Sequence, residues 1–509
     1  MAQLPILSLM TFIPLLGMFV ILALPKGKPN MVRWASVIFT GIPLLLGIWL
    51  YFNFDRTTAA VQFVERVSWI KAFNIEYYMG IDGLSVPMVL LTVLLSFLCV
   101  FASWGIEKGV KGYYAMFLFL EAGMMGVFCA LDFFLFFIFW EVMLLPMYFL
   151  IGIWGGKDKV YAAIKFFLYT LAGSVLMLLA MLAMYYYSEP HTFDLLALAQ
   201  NHTQFLNKTV TLFGAQYALD KILWIGLFIG FAIKVPIWPF HTWLPWAHVE
   251  APTAVSVILA GVLLKMGTYG LLRMNYPIFP EATLWASTAM MILGVINIIY
   301  GAFCAMAQKD LKKLVAYSSV SHMGYVIMGM ASFTTAGVNG AVMQMFNHGT
   351  STAMLFLLVG VAYDRVHHRW IIKPDGSKGF GGIASVVPVY TGMMAIALFA
   401  SLGLPGLSGF ISEALVFLGT FSNPKYQSYV VVGSLGILLG AAYLLWMFMR
   451  VFLGPLNEEH KDMTDMNWRE KLTLLPLCVL VIVLGVYPMP VLNLMGPTLA
   501  KLLSALGVA

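Results

Sequence analysis

Glu141, Lys234, Lys265 and Glu413 lie deep inside apolar runs of this chain. A lysine at the centre of a membrane helix costs roughly 2.5–3.5 kcal/mol on insertion scales, so a chain that keeps two is expected to use them. Carboxylates and amines within reach of one another can pass a proton, because each neighbour's charge resets the next group's affinity. His241, His322 and His348 fall in or at the ends of apolar runs, and imidazole adds sites that titrate near neutrality. The set predicts a buried Glu/Lys/His proton relay. The competing reading is a group of interhelix ties that never titrate. Two helix breaks beside the charges weigh against it. No close spacing such as i, i+4 joins these histidines, so no metal site is expected.

The elements that must hold these groups are membrane helices. Hydrophobic residues make up 61% of the 509 and charged residues 10%, well below the roughly one quarter of a soluble domain. About 20 apolar residues span a bilayer core. The sequence predicts an all-α polytopic fold with about fourteen spans: 4–24, 33–52, 84–104, 113–130, 132–153, 161–187, 222–243, 252–273, 283–306, 312–331, 337–362, 386–420, 430–453 and 472–494. The fourth and fifth meet at Asp132, expected at the interface. The chain reads as one transmembrane domain, 1–509, since no segment outside the runs is long enough for a core of its own.

Two spans are interrupted. Lys234 is followed by Pro236 and Pro239, which remove backbone donors, and the twelfth run contains Gly403, Pro405, Gly406 and Gly409. The breaks are five spans apart. That spacing predicts two inverted five-helix repeats, 113–273 and 283–453, with the ion path at the broken helices 7 and 12.

Basic residues set the expected orientation. Loops after odd-numbered spans carry 19 Lys/Arg and loops after even-numbered spans 7. The former are expected on the cytoplasmic side and both termini on the periplasmic side. The net charge of +6 therefore reflects topology, and no nucleic-acid partner is expected. Absence of a basic region before the first run argues for a retained helix over a cleaved signal. Cys99, Cys129, Cys304 and Cys478 lie in apolar runs without a CxxC pair, so zinc and iron–sulfur sites are not expected. No dinucleotide fingerprint or phosphate loop occurs, and the chain itself is expected to hold no cofactor.

Three stretches are similar to one family. FFLFFIFWEVMLLPMYFLIGIWGG (133–156), FAIKVPIWPFHTWLPWAHVEAPTAVSVILAGVLLKMGTYGLLR (231–273) and QKDLKKLVAYSSVSHMGYV (308–326) resemble the antiporter-like, proton-pumping membrane subunits of respiratory complex I. Within it, YYMGIDGLSVPMVLLT (77–92) and the end after fourteen helices resemble the type without a long lateral helix. Glu413 stands where the L and N types and cation/proton antiporter subunits carry lysine.

The resemblance implies a non-redox, proton-translocating subunit of NADH:quinone oxidoreductase in a bacterial inner membrane. L- and N-type neighbours would flank it, with lipid around it and protons and water as what it handles. NADH, FMN, iron–sulfur clusters and quinone would sit on other subunits. By resemblance, Glu141 is the acid of Lys234, Lys265 the central relay amine, His322 and His348 its onward links and Glu413 the exit acid. A cation/proton antiporter subunit, or a ferredoxin-driven relative, is the alternative. Two positions depart from the family pattern: Trp246 stands where aspartate is usual and Val255 where glycine is common. Both lie in the segment joining helices 7 and 8.

Overall fold

The computed structural model describes residues 4–507 apart from residue 213. The chain is an all-α polytopic fold. Its strands, among the described residues, form two antiparallel hairpins in loops, Gln62–Ile70 with Ile75–Ile81 and Thr209–Leu212 with Ala215–Ala218. The outermost residues, whose side of the membrane the charge count addresses, lie outside the described part.

Among the described residues, ten helices are long and apolar enough to cross a membrane. The four other expected spans depart from that pattern for local reasons. Span 7 is split into Leu219–Lys234 and Trp243–Glu250, and span 12 into Pro388–Ser401 and Ser408–Ser422. Span 10, Leu311–Ala331, carries Lys312, Lys313, His322 and three serines, which dilute its hydropathy. Span 14 is Trp468–Val486, shorter at its end than the expected 494. Pro488 and Pro490 stop it, and the chain turns by 67° into a further helix, Met489–Ala505, because proline restricts the residue before it and removes a donor.

Asp132 separates spans 4 and 5. Its carboxylate accepts from the Leu135 N–H at 3.0 Å and caps the next helix. That helix is itself interrupted at Met143, two residues after Glu141. The first span lacks a cap of its own. Glu65 of the first hairpin supplies it, accepting from Leu7 N–H at 2.8 Å and Ser8 N–H at 3.1 Å. A carboxylate there satisfies orphan donors and suits the positive end of the helix.

Spans 8 (Thr253–Ile278) and 11 (Thr335–Val366) form the centre, buried along their apolar windows, whereas spans 2 and 13 lie at the rim. Span 8 is not a uniform helix. Two π-wound turns, Leu259–Leu263 and Leu271–Asn275, bracket the segment Leu264–Gly270 that carries Lys265. Single π turns inside α-helices occur frequently at functional sites.

Both breaks are tied down by side chains. At the first, Asn297 of span 9 accepts from Trp238 N–H at 2.7 Å and donates to the Pro236 carbonyl at 3.3 Å, while the Trp243 indole donates to the Ile233 carbonyl at 2.8 Å. At the second, Asn347 donates to the Ser408 carbonyl at 2.7 Å. Irregular backbone at membrane depth is tolerated only where protein or water satisfies it, and here protein does. Gly403 is required twice over. Its φ of +76° suits glycine, and a Cβ there would collide with the Glu413 carboxylate.

Candidate functional site

Lys265 has no exposed surface. Its ammonium reaches back to the Ala260 carbonyl, inside the first π-wound turn, and stands 2.6 Å from His348 Nδ1. Spans 8 and 11 thus meet through an amine and an imidazole. From His348 the next ring is His322 of span 10, with centroids 5.6 Å apart. His322 Nδ1 lies 3.5 Å from Glu413 Oε1 and 3.4 Å from Gln344 Nε2. Ser412 donates to Gln344 Oε1, and Asn347 donates to Ser412 Oγ at 3.2 Å. The four groups Lys265, His348, His322 and Glu413 therefore stand in one row that ends at the broken twelfth span.

Of the three links only Lys265–His348 is a hydrogen bond; His322 and Glu413 meet as a 3.5 Å charge contact and the two imidazoles as tilted neighbours. A cavity of about 10 Å³ adjoins the two rings, lined by His322, Gln344, Asn347, His348 and Glu413. That volume is near the lower limit for a single water. Transfer across this gap calls for one water or a ring rotation.

Lys234 is held differently. It is 1% exposed, and its ammonium lies 5.0 Å from the ring centre of Trp140 and 5.7 Å from that of Phe166. Among the described residues its Nζ has no hydrogen-bond partner, and neither has Glu141 Oε1. No carboxylate oxygen of Glu141 comes within 4 Å of Lys234, although Trp140 and Glu141 are consecutive. The structure brings these two charges to one place without joining them. A cation on aromatic faces is attracted by the ring quadrupole, worth up to about 2 kcal/mol when desolvated.

His241 does not join the row. It is buried behind the first break, packed edge to face on Tyr300 at 5.0 Å, and its Nδ1 has no partner. Glu121 of span 4, also an acid inside a span, is fully buried with both oxygens unpartnered.

Three further buried polar side chains are given no site role by the sequence reading. Arg273, the last residue of expected span 8, is counted with the loop charges, yet it is 8% exposed in the second π-wound turn. It binds Asp82 bidentately at 2.8 and 2.6 Å and donates to Tyr269 Oη at 3.1 Å. Burial alone would raise the Asp82 carboxyl; Arg273 outweighs it and holds Asp82 below its ordinary value. Lys312, likewise counted as a loop residue, is buried and donates to the Ala251 carbonyl at 2.5 Å. His248 has no surface and no partner on either ring nitrogen, and it stacks on Phe356 at 4.6 Å. Two signals were available. Arg273 lies eight residues beyond Lys265 on one helix, and His248 follows Pro245 by three.

A cavity of about 530 Å³ opens beside Lys312. Lys312, Glu250, Asp310, Arg369 and His368 are among its walls. It is a charged vestibule at the same end of the molecule as the 308–313 and 363–385 loops.

Residues 130–440 match the family described as NADH:quinone oxidoreductase/Mrp antiporter, transmembrane, and residues 9–130 match the amino terminus of NADH-ubiquinone oxidoreductase chain 4. A Rickettsia conorii protein named NADH-quinone oxidoreductase subunit M is 42% identical over 510 residues, covering 99% of both chains. The protein of that name from Rhodobacter capsulatus is 43% identical over 98% of this chain and 96% of its own. Among solved structures, a chain of respiratory complex I from Thermus thermophilus superposes with a TM-score of 0.85 at 28% identity, covering 98% and 99% of the two chains. A chain of the Mrp complex from Dietzia shares the fold, with a TM-score of 0.83 at 20% identity over 99% of this chain and all of that one.

Proposed function

The chain belongs to the NADH:quinone oxidoreductase/Mrp antiporter transmembrane family, and from that premise we propose how it works as the M-type, proton-translocating membrane subunit of complex I. The observation that carries the reading is the row Lys265–His348–His322–Glu413. Lys265 as ammonium donates its proton to His348 Nδ1. The proton crosses to His322 and then to the Glu413 carboxylate, beside the second break. Each transfer moves a positive charge one step from span 8 towards span 12, and the amine left behind is free to take a new proton. The charged vestibule near Lys312 supplies it from the cytoplasmic side.

Glu141 and Lys234 act on this row through charge. Neither has a hydrogen-bonded acceptor that leads onward, so a change in their separation alters the field on Lys265 without passing it a proton. The chain takes part in the enzyme complex as a non-redox subunit: NADH, FMN, iron–sulfur clusters and quinone belong to other subunits. Its neighbours are the L- and N-type subunits, and the two halves 113–273 and 283–453 are inverted repeats carrying one break each. The complex lies in a bacterial inner membrane, with the termini on the periplasmic side. Glu413 and relatives named as quinone oxidoreductase subunits along the whole length favour this over a cation/proton antiporter; the Mrp resemblance concerns fold alone.

Redox-driven proton uptake in vesicles holding equal amounts of assembled complex tests the reading. Lys265→Ala is expected to lose coupled uptake while NADH oxidation by the redox subunits continues at a reduced rate. Wild-type uptake in Lys265→Ala would remove the row from the mechanism.

A further inference from the structure

Trp246, which departs from the family pattern, lies half-buried between two lysines. The short helix Trp243–Glu250 is wedged between span 6 (Lys159–Tyr187) and span 10. The Trp246 ring has the Lys165 ammonium 5.9 Å from its centre and the Lys313 ammonium 5.6 Å from it. Tyr161 packs edge-on against it at 5.0 Å. Among the described residues, neither ammonium has a carboxylate within 4 Å, although eight ion pairs satisfy other charges of the chain. Two cations therefore share one aromatic floor with no anion from this chain. An aspartate at 246 would have supplied that anion.

Beyond Lys165 along span 6 the surface turns apolar. Ile164, Leu168, Val175 and Leu179 are exposed along one side of span 6, at spacings of four, seven and four, which a 3.6-residue turn places on one stripe. Lys165 lies six residues into that helix, roughly 9 Å from its start, within reach of the interface by snorkelling.

We propose that Lys165, Lys313 and Trp246 form a binding site for an anionic phospholipid, its phosphate between the two ammonium groups and an acyl chain along the stripe of span 6. Charge complementarity selects a net-negative headgroup. The stripe selects a lipid over a soluble anion, which has no use for it, and over an acidic peptide, whose backbone would be stranded against hydrocarbon. Basic pockets between membrane helices at the cytoplasmic side suit such headgroups, and Trp and Tyr favour the interface.

The test uses the assembled complex in nanodiscs of phosphatidylcholine with a fraction of phosphatidylglycerol, either lipid carrying a photoactivatable acyl chain. Labelled peptides are read by mass spectrometry. Phosphatidylglycerol is expected to label 161–179 about tenfold or more above phosphatidylcholine. Lys165→Gln with Lys313→Gln is expected to abolish that preference, as is Trp246→Asp, which places a carboxylate between the lysines. Lys165→Arg with Lys313→Arg is expected to keep it, which separates loss of charge from loss of fold. Equal labelling by the two lipids, or full preference in the Gln variant, overturns the proposal. So does displacement of the label by millimolar inorganic phosphate, which marks a site for a free anion. A carbodiimide cross-link from either lysine to a neighbouring subunit's carboxylate overturns it in favour of a protein contact.

Discussion

Lys234 and Lys265 are the same side chain, both buried, each beside a distorted helix, and they meet different surroundings. Lys234 closes a helix at a proline break and lies against two rings, with no acceptor. Lys265 sits between two π-wound turns, bonded to a carbonyl and 2.6 Å from an imidazole. Aromatic faces hold a cation without offering a place for its proton. A ring nitrogen offers that place. Burial of a lysine therefore does not by itself make it a relay; the acceptor next to it does. Arg273 adds a third case on the same helix as Lys265. It is bound bidentately to Asp82, a geometry that fixes a charge in place.

The largest expected effect separates the two lysines directly. Arginine keeps the positive charge and cannot release a proton. Lys265→Arg is expected to cut proton uptake on the order of tenfold or more, while Lys234→Arg keeps most of it. Vesicle uptake assays on both variants decide; equal loss in the two would erase the distinction.

The acids give the second contrast. Glu413 touches His322, and Glu141 touches no cation. Glu413→Gln is expected to lower coupled uptake more than Glu141→Gln, with Glu413→Lys less harmful than Glu413→Gln because an amine still exchanges protons. Retained uptake in Glu413→Gln with loss in Glu413→Lys would make Glu413 an interhelix tie.

The third concerns Arg273 as a fixed charge. Asp82→Asn strands a buried guanidinium and is expected to cost roughly 3–5 kcal/mol of stability at neutral pH. The folded Asp82 pKa is depressed. Its contribution is thus complete above the unfolded carboxylate value and lost as pH falls through the folded value. Thermal midpoints of wild type and Asp82→Asn should converge on acidification. A gap that stayed constant into acid would show that Asp82 is not acting as an anion.

The smallest effect falls on the break beside Lys234. Asn297→Ala leaves the Trp238 N–H and the Pro236 carbonyl unsatisfied, at about 1–3 kcal/mol. It is expected to lower the melting temperature of the complex and to leave uptake per assembled complex within about twofold, since no proton passes through Asn297. Uptake falling with unchanged melting would place Asn297 in the path.

The sequence by itself determined the class and the parts. Fourteen runs follow from the length of apolar segments, since a bilayer core demands about 20 apolar residues. The breaks at Pro236 and Gly403 follow from residues that cannot continue a helix, and the buried charges are conspicuous against so apolar a background. Span 14 ended early because Pro488 weighs more than continuing hydropathy. Tertiary structure decided which charges meet. Lys265 touches His348 across 83 positions, and no periodicity within either span reports that. Two π-wound turns rotate Lys265 relative to a regular helix, and their winding depends on packing around span 8, not on local propensity. Arg273 and Lys312 lay near the ends of apolar runs, where a count of residues cannot tell a solvated charge from a buried one. Depth along a helix is written in sequence; the direction a side chain takes across it depends on the neighbours that close around it.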